Sequence, residues 1–212
     1  MSRVVIVDDH PVMRMGLTHL VESSGDIEVA GEAGSASEAI EVIEAVEDID
    51  LAIIDMSLPD RSGLELIKDL RVMNPGLKCL VVSSHDESVY AERVLRAGGR
   101  GYIMKDHAPE QLIEAIRQVI RGEVFLSPEM TARMMEVFAG GGSGPSIAAL
   151  TDRELEVFRA IGEGKTPREI AGEMGISVRT IDAHRTHIKD KLDLRDAAEL
   201  AYEAIRWVES QG

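Results

Sequence analysis

Between residues 1 and 123 the chain alternates short apolar runs with amphipathic stretches. The runs are VVIV (4–7), IEVAGEA (27–33), LAIID (51–55), CLVVS (79–83) and GYIM (101–104). Between them, SEAIEVIEAV (37–46) keeps Ala39, Ile43 and Val46 at helical spacing. QLIEAIRQVIRG (111–122) puts Leu112, Ile116, Val119 and Ile120 on one face and closes at Gly122. Strands buried on both faces, alternating with helices, predict a parallel sheet covered on both sides. Five such units in this length predict an α/β, doubly wound, five-stranded sheet.

The pattern then changes. SPEMTARMMEVFA (127–139) predicts a linker helix with Ser127 as N-cap and Pro128 in the first turn. AGGGSGP (139–145) has the composition of a flexible linker. Beyond it every signal is helical. Thr151 to Glu154 and Thr166 to Glu169 are both capping boxes, the second with Pro167 at the favoured first position. A short helix, a turn at Gly175 and a second helix capped by Ser177 form a helix-turn-helix. The predicted divisions are 1–123, a linker at 124–147, and a small all-α domain at 148–212.

Composition narrows the setting. A single cysteine, Cys79, excludes an internal disulfide framework and fits a reducing compartment. The first residues lack a signal-peptide apolar run, and no stretch approaches the roughly 20 apolar residues of a membrane span. A cytoplasmic protein is expected. The formal net charge is −15. Residues 1–147 hold 13 Lys and Arg against 25 Asp and Glu, a net of −12; residues 148–212 hold 10 against 13, a net of −3. Non-specific attraction to nucleic acid should be weak. The exception is SVRTIDAHRTHIKDKL (177–192), with four cations and two acids.

The first strand ends in Asp8 and Asp9, and the third in Asp55. In strand order 2-1-3-4-5, strands 1 and 3 are neighbours at the point where ligands bind. The three carboxylates should converge there and repel one another unless neutralised. A hard dication with oxygen ligands resolves the conflict, and Mg2+ suits an open carboxylate site. The fourth strand ends in Ser83, a hydroxyl donor, and the fifth in Lys105, a cation matched to a phosphoryl group. A carboxylate nucleophile, a metal and two groups for phosphoryl oxygens are thus predicted together. His10 and His85 read as rim or packing residues.

VDDHP, IDMSLPDRSG, VVSSHDE and GYIMKD, in this order, resemble the receiver domain of two-component response regulators, a CheY- and flavodoxin-like fold. The resemblance spans residues 1–123. It implies that Asp55 accepts a phosphoryl group from a sensor histidine kinase. It also implies that Asp8, Asp9, Asp55 and the Ser57 backbone carbonyl bind Mg2+, and that Ser83 and Lys105 read the phosphoryl group. Tyr102 matches the aromatic position whose ring swings inward in response. Asp106 follows Lys105 where many receivers have Pro, which removes the case for a cis peptide there.

Residues 150–192 resemble the LuxR-type helix-turn-helix, and the whole chain is similar to NarL/FixJ-type response regulators. At about 100° per residue, Ile181, Ile188 and Leu192 form a core stripe, flanked by Arg185 and Val178. The opposite face carries Arg179, Asp182, Ala183, Thr186, His187 and Asp190. The N-terminal half of such a helix enters the major groove, so Arg179, Asp182, Ala183 and Thr186 are the base-edge candidates, and Thr180 is counted with the DNA-binding residues. Arg185, His187 and Lys189 suit phosphates. Asp182 is the departure, since many relatives carry Lys there. An acid there can read cytosine, or it can serve the helix dipole and pair with Arg179. So few cations imply weak binding by one module and cooperation between two.

The final helix, 193–210, places Leu200 and Ala204 among its apolar residues. The resemblance implies that its outer face, with these two residues, joins two modules on a two-fold symmetric DNA site. The expected function is a DNA-binding regulator, a homodimer when active, switched by phosphorylation. An enzyme is not expected, because DMS (55–57) offers no second acid for turnover of an external phosphoester. A constitutive DNA binder would leave the acidic pocket without a use.

Overall fold

In the computed structural model the described residues are 1–138 and 147–210, with side chains undescribed at 136–138 and 148; the Gly/Ser linker lies outside them. They fall into two compact units, the first ending at Phe138.

The first unit alternates strands and helices throughout. The strands are β1 (Ser2–Val7), β2 (Ile27–Ala33), β3 (Leu51–Ile54), β4 (Lys78–Ser83) and β5 (Gly101–Met104). The helices are α1 (Pro11–Ser23), α2 (Ala36–Ala45), α3 (Gly63–Met73), α4 (Glu87–Ala97), α5 (Pro109–Ile120) and α6 (Pro128–Phe138). All strand pairs are parallel, in the order β2-β1-β3-β4-β5. Val4, Ile6, Leu51, Ile53, Leu80 and Val82 meet Ile113, Ile116 and Val119 of α5 and Leu17 and Val21 of α1 in one core. Covering both faces explains the continuous apolar runs of β1, β3 and β4, whereas the edge strand β2 exposes Glu28 and Glu32.

Local signals set the helix starts. Ser35, Ser62 and Asp86 cap α2, α3 and α4. Asp60, in the β3–α3 loop, reinforces α2 by accepting from the Ala36 and Ser37 amides at 2.9 Å each. Burial alone would raise its pKa. The two amides and the Ser37 hydroxyl outweigh that and hold it at about 2.

The first unit extends past residue 123. Phe125 lies against β5, donating its amide to Arg100 and accepting from Tyr102, both at 3.0 Å. Ser127 then caps α6, whose Met130 is buried. The linker helix therefore packs as part of the first unit, because its apolar side finds a partner surface at α4.

The second unit holds α7 (Asp152–Gly162), α8 (Pro167–Glu173), α9 (Val178–Leu192) and α10 (Ala197–Glu209) after a 3-10 turn at Ile147–Ala149. Both capping boxes form, at Thr151 and Thr166. Ser177 caps α9, and Gly175 takes the left-handed conformation of the turn, with φ 64°. Phe158 of α7 and Trp207 of α10 pack with ring centroids 5.6 Å apart. The two helices approach so closely that a Cβ on Gly162 would lie 2.4 Å from the Ala204 carbonyl oxygen and 2.5 Å from Val208 Cγ2.

Gly162→Ala should therefore push α10 off α7 and destabilise this unit by about 1–3 kcal/mol, the usual range for overpacking. Urea unfolding followed by the fluorescence of Trp207, the single tryptophan, checks this through a lowered midpoint.

Candidate functional site

The sheet register builds the site. Val7 pairs with Ile54, so the residues that follow them, Asp8 and Asp55, leave adjacent strands side by side. The ladder continues one residue further at each strand end. The Asp55 amide donates to the Val7 carbonyl at 2.8 Å, Asp8 to Ala33 at 3.1 Å, and Lys105 to Ser83 at 2.9 Å. Rigid sheet backbone thus sets the position of each functional side chain.

Asp8, Asp55 and Ser83 are buried, the only buried polar residues described in this unit. The Lys105 amine bridges the acids, 2.7 Å from Asp8 Oδ2 and 2.9 Å from Asp55 Oδ2. Burial pushes the Asp55 carboxyl above its ordinary pKa despite Lys105 and the Ser57 amide. Burial would lower Lys105, but the two carboxylates outweigh it and raise the amine, which stays charged. Asp8 Oδ1 accepts from the His10 amide at 2.8 Å.

Asp9 is the discordant member. Its Oδ1 is buried and has no hydrogen-bond partner, although His10 Nδ1 approaches to 2.6 Å. Asp8, Asp9, His10 and Asp55 each offer one ligand atom within 4.8 Å of the others. An orphaned carboxylate oxygen beside two further acids fits a hard cation. His10, a rim residue by its sequence, is exposed yet reaches this cluster.

Gly63 sets how closely α3 approaches the acid. A Cβ there would lie 2.2 Å from the Asp55 carbonyl oxygen and 3.0 Å from Met56 Cα, so only glycine fits. The Gly63 amide donates to the Met56 carbonyl at 2.9 Å, which ties the loop after Asp55 to the start of α3.

His85 does more than pack. Its Nε2 lies 3.0 Å from Ser57 Oγ, its amide donates to Ser83 Oγ at 3.2 Å, and its carbonyl accepts from the Tyr102 hydroxyl at 2.8 Å. Tyr102 is fully buried, with its ring inward, and burial raises its pKa. His85 thereby joins the loop after Asp55 to both Ser83 and Tyr102, which the sequence predicts to respond to a phosphoryl group. Its isolated position in the sequence carries no signal of this.

In the second unit Ile181 and Ile188 are buried and Leu192 is half-buried, as the helical stripe predicts. Arg179, Thr180, Asp182, Ala183, Thr186 and His187 are exposed on α9, while His184, Arg185 and Lys189 are half-buried. Asp182 pairs with Arg185 at 3.2 Å and not with Arg179, so one cation assigned to phosphates is held by an acid of its own helix.

Most other cations of this unit are held likewise. Arg153, Arg159, Lys165, Lys191, Arg195 and Arg206 all have acidic partners. Among the described residues, only Arg168, Arg179 and Lys189 of this unit have none, and all three lie on α8 and α9. Sequence reasoning missed Arg168; cancelling cations against acids at i±3 and i±4 would have exposed it.

Leu200 and Ala204 require a correction. The family resemblance assigns them to an outer dimer face, but they are 1% and 0% exposed and pack against the unit's own interior. The outward apolar residues of α10 are Tyr202 and Ile205, 59% and 42% exposed. A spacing of i, i+4 identifies a stripe without saying which way it faces.

Comparison with known proteins gives this geometry a family. Residues 4–117 match the response regulator receiver domain, and residues 148–204 match bacterial regulatory proteins of the luxR family. The chain belongs to the NarL/FixJ-type response regulators. It is 34% identical to the oxygen regulatory protein NreC of Staphylococcus carnosus over 96% of this chain and 97% of that one. The transcriptional regulatory protein UhpA of Salmonella typhimurium is also 34% identical, over 95% and 97%. Among solved structures, RcsB from Salmonella enterica serovar Typhimurium, bound to promoter P1flhDC with a phosphomimetic BeF3−, is similar with a TM-score of 0.74. Its identity is 26%, covering 99% of this chain and 98% of that one. In this response regulator, as in the family, a five-stranded receiver precedes a helical helix-turn-helix unit. Among the described residues no helix is long and apolar enough to cross a membrane.

Gly63→Ala should loosen the loop that carries the acid. Amide exchange in β3 and the first turn of α3 should rise by roughly tenfold, a shift of about 1.4 kcal/mol and within the range for overpacking. Hydrogen-exchange mass spectrometry reads it directly.

Proposed function

We propose that this regulator is a cytoplasmic, phosphorylation-switched transcription factor of a two-component system. The observation that carries the reading is the Lys105 amine between Asp8 and Asp55, with the Asp9 carboxylate beside them. Such a site is built to receive an anion on a carboxylate. Asp55 is the nucleophile: its carboxylate oxygen bonds to phosphorus as the phosphorus–nitrogen bond of a kinase phosphohistidine breaks. Asp8, Asp9, Asp55 and the Ser57 carbonyl would hold Mg2+, which when bound neutralises the acids and the incoming phosphoryl charge. The Lys105 amine and the Ser83 hydroxyl then bond the phosphoryl oxygens. The chain modifies only its own Asp55 and turns over no external substrate.

The output is binding to a two-fold symmetric DNA operator. Arg179, Thr180, Asp182, Ala183 and Thr186 face the bases, and Lys189, His187 and Arg168 face phosphates. Three uncompensated cations per module give weak attachment, so two copies act together. Tyr202 and Ile205 supply an apolar patch for that pairing.

Asp55→Asn should abolish the gain in DNA affinity on adding acetyl phosphate and Mg2+. Fluorescence anisotropy with operator DNA measures it, and an undiminished gain in the variant would overturn the reading. Asp182→Ala should free Arg185 for a phosphate. Binding should tighten across unrelated sequences, and the salt slope, log K against log salt concentration, should steepen by about 0.9 per module. Loss of binding at one base position alone would instead make Asp182 a base reader.

A further inference from the structure

The end of the receiver sheet opposite Asp8 and Asp55 holds a cavity of about 430 Å³. All strands run parallel, so their first residues gather there, one strand length or roughly 20 Å from the acids. Its apolar lining is Ile67 of α3 and Leu77, both buried, with half-buried Leu95 of α4. Three cations line it as well: Arg71 from the last turn of α3, Lys78 at the start of β4 and Arg100 just before β5. No Asp or Glu is among the described residues that line it. The volume lies in the range of small-molecule sites.

Composition runs against such a lining, because residues 1–147 hold 25 Asp and Glu against 13 Lys and Arg. Elsewhere in this unit acids hold the cations: Glu32 holds Arg14, Asp69 holds Arg61 and Asp26 holds Arg117. Glu123, which sits between two lining residues, is taken by Arg121 at 2.9 Å. Among the described residues Arg71, Lys78 and Arg100 have no acidic partner. The backbone brings them together. The Arg100 amide donates to the Cys79 carbonyl at 2.8 Å, which sets Arg100 beside the start of β4. The Arg71 stem crosses Gly98, where a Cβ would lie 2.6 Å from Arg71 Cδ, and its Nη1 reaches the Arg96 carbonyl at 3.5 Å. Gly98, at φ 114°, both ends α4 and leaves the room that this stem needs. Cys79 also lines the cavity, but burial pushes its thiol up to about 12, so it adds no negative charge.

Two guanidinium groups and an ammonium without acids around one partly apolar cavity leave a local demand for negative charge. Guanidinium groups bond carboxylate or phosphate oxygens as a fork, and an ammonium adds a point charge. We infer that this cavity is a second ligand site of the receiver. It takes a small organic anion with at least two carboxylate or phosphate groups, held by Arg71, Lys78 and Arg100, with its carbon frame against Leu77 and Leu95. A long polyanion such as a nucleic-acid backbone is disfavoured, since the surrounding residues 1–147 carry a net charge of −12. The site shares no residue with the acidic pocket around Asp55, so the inference is independent of phosphorylation there.

The test titrates the full chain, free of Mg2+, with citrate and with ADP, the first a carboxylate probe and the second a phosphate probe. Calorimetry reads affinity, and amide chemical shifts read the place of binding. Wild type should bind at least one probe with a sub-millimolar Kd, and the largest shifts should fall on Leu77, Gly98, Gly99 and Arg100. The tighter probe assigns the anion class. Arg71→Gln and Arg100→Gln should each weaken binding by roughly tenfold, the weight of one charge-assisted hydrogen bond. Lys78→Glu should abolish it. Arg179→Gln, on α9 of the other unit, should bind as wild type does. An unchanged thermal midpoint in each variant separates a lost contact from a lost fold. Neither heat nor shifts with either probe at millimolar concentration would overturn the site. So would shifts confined to the Asp55 pocket or to α8 and α9. Equal weakening by Arg179→Gln would reduce the binding to general pairing with surface cations and overturn it too.

Discussion

One amine between two buried carboxylates governs the carboxyl edge of the receiver sheet. Asp8 and Asp55 lie on neighbouring strands, where two anions without compensation would be costly to bury. Lys105 supplies that compensation from the far side of the sheet, across β4. The compensation is incomplete, because three acids face one lysine, and the buried Asp9 oxygen makes no hydrogen bond and is approached only by the exposed His10 ring. A well-satisfied charge cluster would be inert. This one retains an unmet demand for positive charge and a lysine that can be shared with an incoming anion. The need to hold these groups at a fixed spacing accounts for the parallel register and for the glycine where α3 meets Asp55.

The second unit handles charge in the opposite way. Its acids are used to neutralise its own cations, most visibly Glu154, a buried carboxylate that takes the Thr151 amide and Lys191 at once. That bond fastens the end of α9 to the start of α7, so the same acid that lowers affinity for phosphates also fixes the helix meant to approach them. What remains positive is confined to α8 and α9.

Much of this architecture is legible in the amino-acid sequence. Apolar runs ending in acids, a hydroxyl and a lysine prescribe both the sheet and the position of its pocket, because strand ends in a doubly wound fold converge. Capping boxes at Thr151 and Thr166 and the glycine turn at Gly175 prescribe the helix-turn-helix, because those signals are local. The misreadings share a cause. The resemblance assigns Leu200 and Ala204 to an outer face of α10, but their spacing defines only a stripe, and packing against α7 turns it inward. Asp182 has two cations at equal sequence distance, and rotamers rather than spacing select Arg185. His85 gains its role from Ser57, 28 positions away, beyond the reach of any local pattern.

The sparing of free cations on α8 and α9 has a consequence for how such a regulator behaves among many DNA sites. Attraction to arbitrary sequence scales with uncompensated charge, and here it is small. On the proposed reading the protein should spend little time on non-cognate DNA and should not be depleted by it. Occupancy of an operator that needs two copies then rises with about the square of the active concentration when binding is far from saturation. On the proposed reading, a modest change in the phosphorylated fraction would become a larger change in promoter occupancy, and the amplification would come from the weakness of each single attachment.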